Sequence, residues 1–370
     1  MSTRIPAPDQ TPNATPNAIP SPTPNAGATP TRTRTMDAWI QNHYGGPDTA
    51  HVVRADVPNP GHDEVLVRVR ATSLNAADTH IMRGDPLLLR LFFGVRRPKE
   101  RTRGRDVAGT VTAIGPDVVE LAVDDEVLGE LAGGGLAEYV KAPASRLVRR
   151  PANLGPIAAA ALPLAGGTAW QAIESGGVAE GQRVLVIGAS GGVGTFAVQL
   201  AAHRGAEVWA LCGARSRGLV EQLGASRTFD YTQTDASALP PASFDVIIDI
   251  AGTAPLRALR SLLRPGSRKQ RGGTLVLVSG EGGRVLGPIG RMLRAALLAP
   301  SGRGRRIRPL AAVTKPDVTS RLAALAADGS IRSVIERTWP LGEAREALAH
   351  VDAGHTVGKV VVLITPEDPT

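Results

Sequence analysis

Residues 184–194 read VLVIGASGGVG, a glycine-rich loop placed directly after a short apolar run. The apolar residues 184–187 predict a strand buried on both faces, and residues 195–204 predict a helix. Glycines let a pyrophosphate approach the backbone, and the helix N-terminus stabilises its charge. The stretch therefore predicts a dinucleotide site formed by Ala189, Ser190, Gly191, Gly192, Val193 and Gly194. The alternative is a glycine-rich turn that holds no ligand.

The chain on either side of this loop follows two different patterns. After residue 163, apolar strands at 184–187, 207–211, 245–250 and 274–278 alternate with helical stretches, which predicts a doubly wound parallel sheet. Before residue 163, residues 64–71 read EVLVRVRA, in which Val65, Val67 and Val69 alternate with Leu66, Arg68 and Arg70 in a period of two. Further short strands at 106–114 and 125–128 predict a compact β-barrel-like domain. The fold class is therefore α/β.

Composition excludes several classes of protein. Residues 1–35 hold eight prolines and no apolar run, which predicts a disordered tail without a secretory leader. No apolar run long enough for a transmembrane helix follows. Cys212 is the sole cysteine, so disulfides within the chain and zinc sites built from several thiolates are excluded. Cys212 lies in the turn that follows the apolar strand 207–211, where it is expected to be a packing residue rather than a reactive thiol.

The end of the second apolar strand indicates which nicotinamide coenzyme fits. An NAD site usually places an acid there for the ribose 2′-hydroxyl, but residues 210–217 read ALCGARSR. Arg215 and Arg217 suit a 2′-phosphate, which favours NADPH over NADH. The alternative is that both arginines are solvated side chains at the start of a helix.

Several motifs resemble those of the medium-chain dehydrogenase/reductase superfamily, specifically its zinc-independent quinone oxidoreductase-like branch. The resemblance covers roughly residues 36–364. Its pieces are SLNAAD at 73–78, RG at 83–84, GRDVAG at 104–109, LP at 162–163, GTAW at 167–170, GASGGVG at 188–194, LGA at 223–225, DY at 230–231, GH at 354–355 and GK at 358–359.

This resemblance implies a domain organisation and the absence of a catalytic metal. A GroES-like catalytic barrel would span 36–160 and be completed by 330–370, with a Rossmann coenzyme-binding domain at 161–329. Zinc members carry cysteine at the position of Asn75 and His-Glu at the positions of Arg105 and Asp106. No metal is therefore expected in the site.

Candidate catalytic residues lie in the segment that starts at Asn75. Hydride transfer to a carbonyl or quinone needs a hydrogen-bond donor for the oxygen that gains charge. We expect Asn75 to be that donor, Asp78 to orient it or the nicotinamide, and His80 to donate a proton. Water is an alternative proton source, and each residue could instead be a structural polar group at a barrel corner.

Three further coenzyme contacts are implied by the resemblance alone. Thr168 would lie near the nicotinamide, Tyr231 near the adenosine phosphate and Lys359 near the pyrophosphate. The alternatives are a helix cap for Thr168, ordinary packing for Tyr231 and a solvated charge for Lys359.

Positive charge is concentrated in residues 264–308, which hold eleven of the Lys and Arg residues and one acid, whereas the whole chain carries +8. The segment is interpreted as a basic insertion into the Rossmann domain. Residues 287–300 predict an amphipathic helix with Ile289, Met292, Leu293, Ala296 and Leu297 on its apolar face. This helix could cover the cleft as a lid, pack on the protein body or contact an anionic membrane weakly. Nucleic-acid binding is not expected, since interleaved aromatic residues are lacking.

These features together predict an NADPH-dependent, zinc-independent oxidoreductase that acts on a small hydrophobic quinone, enone or related carbonyl compound. The alternative is an NADPH-binding redox sensor or interaction protein with little catalysis. A cytoplasmic location is expected, and the family resemblance suggests a homodimer.

Overall fold

The computed structural model describes residues 1, 3, 34–267, 271–278, 290, 291, 295 and 304–364. Residues 35–370 cluster as one compact unit. The predicted disordered tail, 1–35, lies almost wholly outside the described residues, and the first strand begins at Thr35.

The barrel part of the chain is formed largely by antiparallel strands. They are β1 (Thr35–Gln41), β2 (Ala50–Asp56), β3 (Glu64–Leu74), β4 (Asp106–Ile114), β5 (Glu126–Glu130), β6 (Tyr139–Pro143) and β7 (Leu147–Arg149). Helices α1 (Ala76–Arg83) and α2 (Arg90–Phe93) lie between β3 and β4, and α3 (Pro156–Ala160) follows β7. Val65, Val67 and Val69 of β3 are fully buried and Arg68 and Arg70 are half-buried, but Leu66, expected on the solvated face, is buried too, so the predicted alternation holds only in part.

A six-stranded parallel sheet forms the second part of the molecule. Its strands are β8 (Arg183–Ile187), β9 (Glu207–Cys212), β10 (Ala225–Asp230), β11 (Val246–Asp249), β12 (Thr274–Leu277) and β13 (Arg306–Pro309), in the order β10-β9-β8-β11-β12-β13. Helix α4 (Pro163–Gly176) precedes β8. The helices between the strands are α5 (Gly192–His203), α6 (Arg217–Gln222) and α7 (Leu256–Leu262). This order is that of a Rossmann sheet, with the crevice for a dinucleotide between β8 and β11. The predicted α/β fold class is confirmed.

The C-terminal part of the chain returns to the barrel. After α8 (Pro316–Ala327) come β14 (Ile335–Pro340), α9 (Ala344–Asp352) and β15 (Lys359–Leu363). β15 pairs antiparallel with β3 and parallel with β14, so the tail extends the seven-stranded barrel sheet. The exact domain boundaries at 160 and 329 stay predictions.

Residues 264–308 are not an insertion throughout. β12 and β13 lie within this segment and pair in parallel, Thr274 with Arg306 and Leu277 with Pro309, so it supplies the fifth and sixth strands of the sheet. The sequence predicts β12, as the apolar run 274–278, but not β13, a four-residue edge strand that is largely exposed and carries two arginines.

The predicted amphipathic helix at 287–300 lies mostly outside the described residues, including its whole apolar face of Ile289, Met292, Leu293, Ala296 and Leu297. Of its described residues, Ala295 is fully buried, and Arg291 Nη2 lies 2.6 Å from Asp249 Oδ2 at the end of β11. No helix among the described residues combines the length and apolar character that crossing a bilayer requires.

Candidate active site

The glycine-rich loop lies at the carboxyl end of β8, the central strand of the parallel sheet. Gly188 adopts φ +82°, and the amides of Gly188 and Ala189 both donate to the Leu211 carbonyl at 3.1 and 3.0 Å. Helix α5 begins at Gly192, three residues earlier than expected, with Gly191 as its N-cap. The amides of its first turn therefore face the loop, where a phosphate would be stabilised by the helix N-terminus.

The three glycines at the end of the loop have different neighbours. A Cβ on Gly194 would lie 2.1 Å from the Gly188 carbonyl oxygen, so the helix can pack on the loop only with glycine there. A Cβ on Gly191 would make only an ordinary contact, at 3.6 Å from the Gly188 carbonyl oxygen, so packing within the protein does not require glycine there. A glycine that packing does not require is consistent with the predicted approach of a pyrophosphate to the backbone.

Gly192 has a different neighbour from the one expected. A Cβ there would lie 3.0 Å from Lys359 Cδ and 3.4 Å from the Gly358 carbonyl oxygen. The tail strand therefore approaches the loop at Gly192. Ser190 takes part in the same contact, since its carbonyl accepts a hydrogen bond from the Gly358 amide at 2.8 Å. Val193, in the first turn of α5, is half-buried.

The two arginines after β9 are both exposed, and neither forms an ion pair with a carboxylate in the described part of the chain. Arg215 Nη2 donates to the His355 carbonyl at 2.7 Å, and Arg217 Nε donates to Thr228 Oγ1 at 3.1 Å. Tyr231 is 54% exposed, and its ring lies beside Gly213. This edge thus presents two cations and an aromatic ring to solvent. Cys212 is buried, and burial raises the pKa of its thiol.

Asn75 is the N-cap of α1, and the oxygen and the nitrogen of its side-chain amide each contact a charged group. Its Nδ2 donates to Asp106 Oδ2 at 3.0 Å and more weakly to the Ser73 carbonyl at 3.4 Å. Its Oδ1 accepts from Lys359 Nζ at 2.5 Å. The carboxylate and the ammonium therefore fix the orientation of the amide.

Lys359 lies in this cluster rather than on the surface of the tail. The side chain is 2% exposed, and its Nζ lies 3.5 Å from Asp106 Oδ2. The resemblance implied a cation near the pyrophosphate, but the ammonium is directed at Asn75 while its Cδ packs by Gly192. Burial lowers the pKa of Lys359, and the carboxylate of Asp106 opposes that effect.

Asp106 is the residue that sequence reasoning missed as part of the site. Its Oδ1 accepts from the Leu164 amide at 2.9 Å in the first turn of α4, so one carboxylate links the barrel, α4 and Asn75. Burial raises the pKa of Asp106 to about 7, although Lys359 acts in the opposite direction. A signal existed, because Asp106 occupies a position where zinc members of the family carry a metal ligand.

Asp78 lies beneath this cluster and orients the start of α1. Its Oδ2 accepts from the backbone N–H of Asn75 at 2.9 Å, and its Oδ1 accepts from the backbone N–H of Gly104 at 3.0 Å. The side chain is buried. Burial raises the pKa of Asp78, whereas Arg105 and these hydrogen bonds lower it. Asp78, the third residue of α1, therefore positions Asn75, the N-cap, by accepting from its backbone N–H in a capping box.

His80 does not join the cluster. It lies in the last turn of α1, exposed to solvent, and its Nδ1 is 3.1 Å from the Asp85 carbonyl oxygen. The helix separates it from Asn75 because the two residues occupy opposite ends of α1. Thr168 is buried inside α4 and does not occupy the N-cap of that helix, which is Leu162.

Among the described residues, no three His, Cys, Asp or Glu side chains are grouped so as to hold a metal ion. The cation that contacts Asn75 and Asp106 is the ammonium of Lys359. The cluster can therefore hold a polarised amide and a positive charge beside the glycine-rich loop.

Family models and known proteins match most of the chain. Residues 61–152 match the alcohol dehydrogenase GroES-like domain, and residues 223–362 match a family described as zinc-binding dehydrogenase. The chain is 33% identical over 346 residues to a chloroplast envelope quinone oxidoreductase homolog of Arabidopsis thaliana, covering 89% of this chain and 98% of the relative. A mitochondrial NAD(P)H oxidoreductase of Mus musculus is 33% identical over 371 residues, covering 90% of each chain.

The fold likeness to solved structures is equally extensive. The quinone oxidoreductase from Coxiella burnetii superposes with a TM-score of 0.77 at 26% identity, covering 90% of this chain and all of that one. These matches support a nicotinamide coenzyme and an oxidoreductase activity. The chain is an oxidoreductase that belongs to the medium-chain dehydrogenase/reductase superfamily, in its quinone oxidoreductase-like branch.

Proposed function

We propose that the protein is an NADPH-dependent, zinc-independent reductase of quinones or activated enones. The observation that carries the proposal is the Asn75–Asp106–Lys359 cluster, which contacts the glycine-rich loop through Gly192. A hydrogen-bonding amide and a buried cation thereby lie next to the place where the coenzyme would bind. The name of the Arabidopsis relative supports a quinone as the acceptor.

The coenzyme half of the proposal rests on three features of the Rossmann sheet. Gly191, the N-cap of α5, is not required by packing within the protein, so its lack of a Cβ suits a pyrophosphate at the helix N-terminus. Arg215 and Arg217 lie at the end of β9, where an NAD site would carry an acid. Tyr231, whose exposed ring lies beside Gly213, is at the same turn. A 2′-phosphate would find two guanidinium groups there and no carboxylate within residues 212–218.

The acceptor half rests on the fixed amide of Asn75. When bound, the coenzyme supplies a hydride to the acceptor. The quinone oxygen then gains negative charge, and an N–H donor aimed at it stabilises that charge. Asn75 Nδ2 has one strong hydrogen bond to Asp106 and one weak bond at 3.4 Å, and the weakly held hydrogen is available to the acceptor.

Lys359 and Asp106 act through Asn75. The ammonium on Oδ1 withdraws electron density from the amide and makes its N–H a stronger donor. Asp106 holds the other hydrogen and offsets the charge of Lys359. This arrangement supports zinc independence, because the ammonium supplies a fixed positive charge next to the donor.

The overall reaction balances with water as the proton source. The acceptor gains a hydride from the coenzyme and one proton from water, giving a hydroquinone from a quinone or a saturated ketone from an enone, while NADPH is oxidised to NADP⁺. Water, rather than His80, donates the proton, because the His80 side chain lies outside the cluster. A cytoplasmic location and homodimer formation stay predictions.

The proposal is tested by stopped-flow measurement of NADPH oxidation with a panel of quinones and enones. We expect turnover with at least one acceptor class and a fall in kcat of about tenfold to a hundredfold in Asn75→Ala, with little change in the Kd for NADPH. Tight NADPH binding without turnover of any acceptor would instead favour a redox sensor. Zinc in the purified active protein, lost together with activity on chelation, would contradict zinc independence.

A further inference from the structure

A cluster of exposed apolar side chains lies between α1 and β4. Leu91, Phe92 and Val95 are 63%, 69% and 66% exposed, and Leu87 precedes them. A second group, Ile114, Val119 and Val123, has acids rather than cations beside it, and the remaining large apolar residues exposed in the described chain are scattered. Grouped exposed apolar side chains of this kind mark an interaction surface, whereas isolated ones are normal. We call residues 87–101 the docking segment.

Hydrogen bonds fix the backbone of the docking segment, both within the segment and to neighbouring residues. Tyr44 Oη donates to the Gly94 carbonyl at 2.5 Å, and the Lys99 amide donates to the Phe93 carbonyl at 2.7 Å. Arg90 Nε donates to the Gly84 carbonyl at 3.0 Å. These bonds leave Leu91, Phe92 and Val95 presented outward from a defined loop, so binding there would cost little ordering entropy.

Cations directly follow the apolar residues. Arg96, Arg97 and Lys99 are exposed, and none of them pairs with a carboxylate of the described residues. With Arg101 they line a depression of about 470 Å³, which Val95 and Pro98 complete. The whole docking segment carries five cations and a single acid, Glu100. Apolar and cationic side chains are therefore adjacent on one exposed loop.

We propose that the docking segment binds the surface of an anionic phospholipid bilayer. Leu91, Phe92 and Val95 enter the boundary between headgroups and acyl chains, while Arg96, Arg97 and Lys99 bind the headgroup phosphates. Nucleic acid would satisfy the cations but would leave three large apolar side chains in water. A bilayer satisfies both kinds of side chain, and no transmembrane helix is needed for such contact.

Docking in this way has a consequence for the candidate site. The segment connects α1, which begins after Asn75, to β4, which begins at Asp106. The docking segment thus lies in the chain between two residues of the candidate site, so vesicle binding should also be tested for an effect on turnover of apolar acceptors. This consequence rests on the proposed function, whereas the docking itself does not.

Vesicle sedimentation without coenzyme or acceptor tests the docking alone. The full chain is mixed with vesicles of phosphatidylcholine, or of phosphatidylcholine and phosphatidylglycerol in equal amounts. We expect binding to the anionic vesicles that weakens with salt. Arg96→Gln and Arg97→Gln should each lower the affinity about fivefold, and Leu91→Ser with Phe92→Ser should lower it roughly tenfold or more.

Matched substitutions elsewhere control for general effects. Val119→Ser removes a valine that is 90% exposed outside the segment, and Arg345→Gln removes an exposed cation on α9. Neither should change vesicle affinity, and melting temperatures should show that all variants fold. The proposal is overturned if anionic vesicles do not sediment the protein, if the apolar variants bind as well as the parent, or if Val119→Ser weakens binding equally. Phosphate-dependent binding to duplex DNA that is equally strong in Leu91→Ser with Phe92→Ser, without vesicle binding, would assign the surface to nucleic acid.

Discussion

Asn75 is the residue on which the proposed chemistry depends, and its orientation is set by two opposite charges. Lys359 donates to its carbonyl oxygen and Asp106 accepts from its amide nitrogen. An amide with reversed orientation would direct NH₂ at the ammonium and the carbonyl at the carboxylate, which is strongly unfavourable in a buried site. The donor is therefore fixed before any acceptor arrives.

The role of Lys359 can be tested through its charge. Lys359→Met keeps the apolar stem but removes the ammonium, and we expect kcat to fall about tenfold with little change in KM. Burial lowers the pKa of Lys359 from the ordinary 10.5. The pH–activity profile of the parent should therefore have a falling alkaline limb below pH 10.5, because the ammonium of Lys359 loses its proton there.

That alkaline limb distinguishes a role in the reaction from a purely structural one. Lys359→Met should lose the limb, while Lys315→Met, at an exposed position before α8, should retain it. The measurement is kcat between neutral and alkaline pH with a non-titrating acceptor. A limb that persists unchanged in Lys359→Met would assign it to another group and remove Lys359 from the proposed mechanism.

Arg215 decides the proposed coenzyme preference. Arg215→Ala removes a guanidinium that has no carboxylate partner in the described chain, so NADPH should lose a charge-assisted contact worth about 1.5–3 kcal/mol. Calorimetry should show the Kd for NADPH rising at least tenfold while the Kd for NADH stays unchanged. Arg345→Ala serves as the control for a general loss of positive charge. Equal losses for both coenzymes would show that Arg215 acts only by holding the His355 carbonyl.

At the scale of elements, local pattern predicted the loop well and its surroundings less well. The apolar strand, the glycines and the following helix are consecutive in sequence, so their contacts are short-range and readable. The partner of Gly192 is more than 160 residues away in the chain, at Gly358 and Lys359. No periodicity encodes such a contact, so the sequence predicts a phosphate at Gly192 but not the approach of the tail.

In residues 264–308 the error comes from composition rather than from a long-range contact. Their arginines suggested an insertion although the window also holds β12, which the sequence predicts at 274–278, and the four-residue β13, which it does not predict. Arg291 pairs with buried Asp249, and burial raises the pKa of that carboxyl while Arg291 lowers it. Arg306 is half-buried and donates to Thr274 Oγ1 at 2.9 Å. Part of the basic character therefore belongs to the sheet edge, and composition alone could not distinguish it from a solvated loop.

At the scale of the whole molecule, the tail strand β15 connects the barrel sheet to the glycine-rich loop. Lys359 begins this strand, and Gly358 before it donates its amide to the Ser190 carbonyl at 2.8 Å. Val360 pairs with Leu74 at the end of β3, immediately before Asn75. One short segment therefore positions the donor cluster relative to the coenzyme loop, which hydride transfer requires.

Gly358 is the residue at which this connection can be tested. It adopts φ +76°, and an added Cβ would lie 2.3 Å from the Val334 carbonyl oxygen. Gly358→Ala should therefore combine a left-handed backbone cost of about 1–2 kcal/mol with a displacement of the tail from the loop. We expect a melting temperature several degrees lower and weaker coenzyme binding together, measured by calorimetry.

Gly329→Ala is the matched control, because Gly329 has φ +81° but nothing within 4 Å of an added Cβ. It should lower the melting temperature through the same backbone cost and leave coenzyme affinity unchanged. The difference between the two variants then measures the steric effect at the tail alone. If Gly358→Ala binds coenzyme as tightly as Gly329→Ala does, the tail does not hold the loop in its binding geometry. Lys359 would then need another means of staying aligned with Asn75.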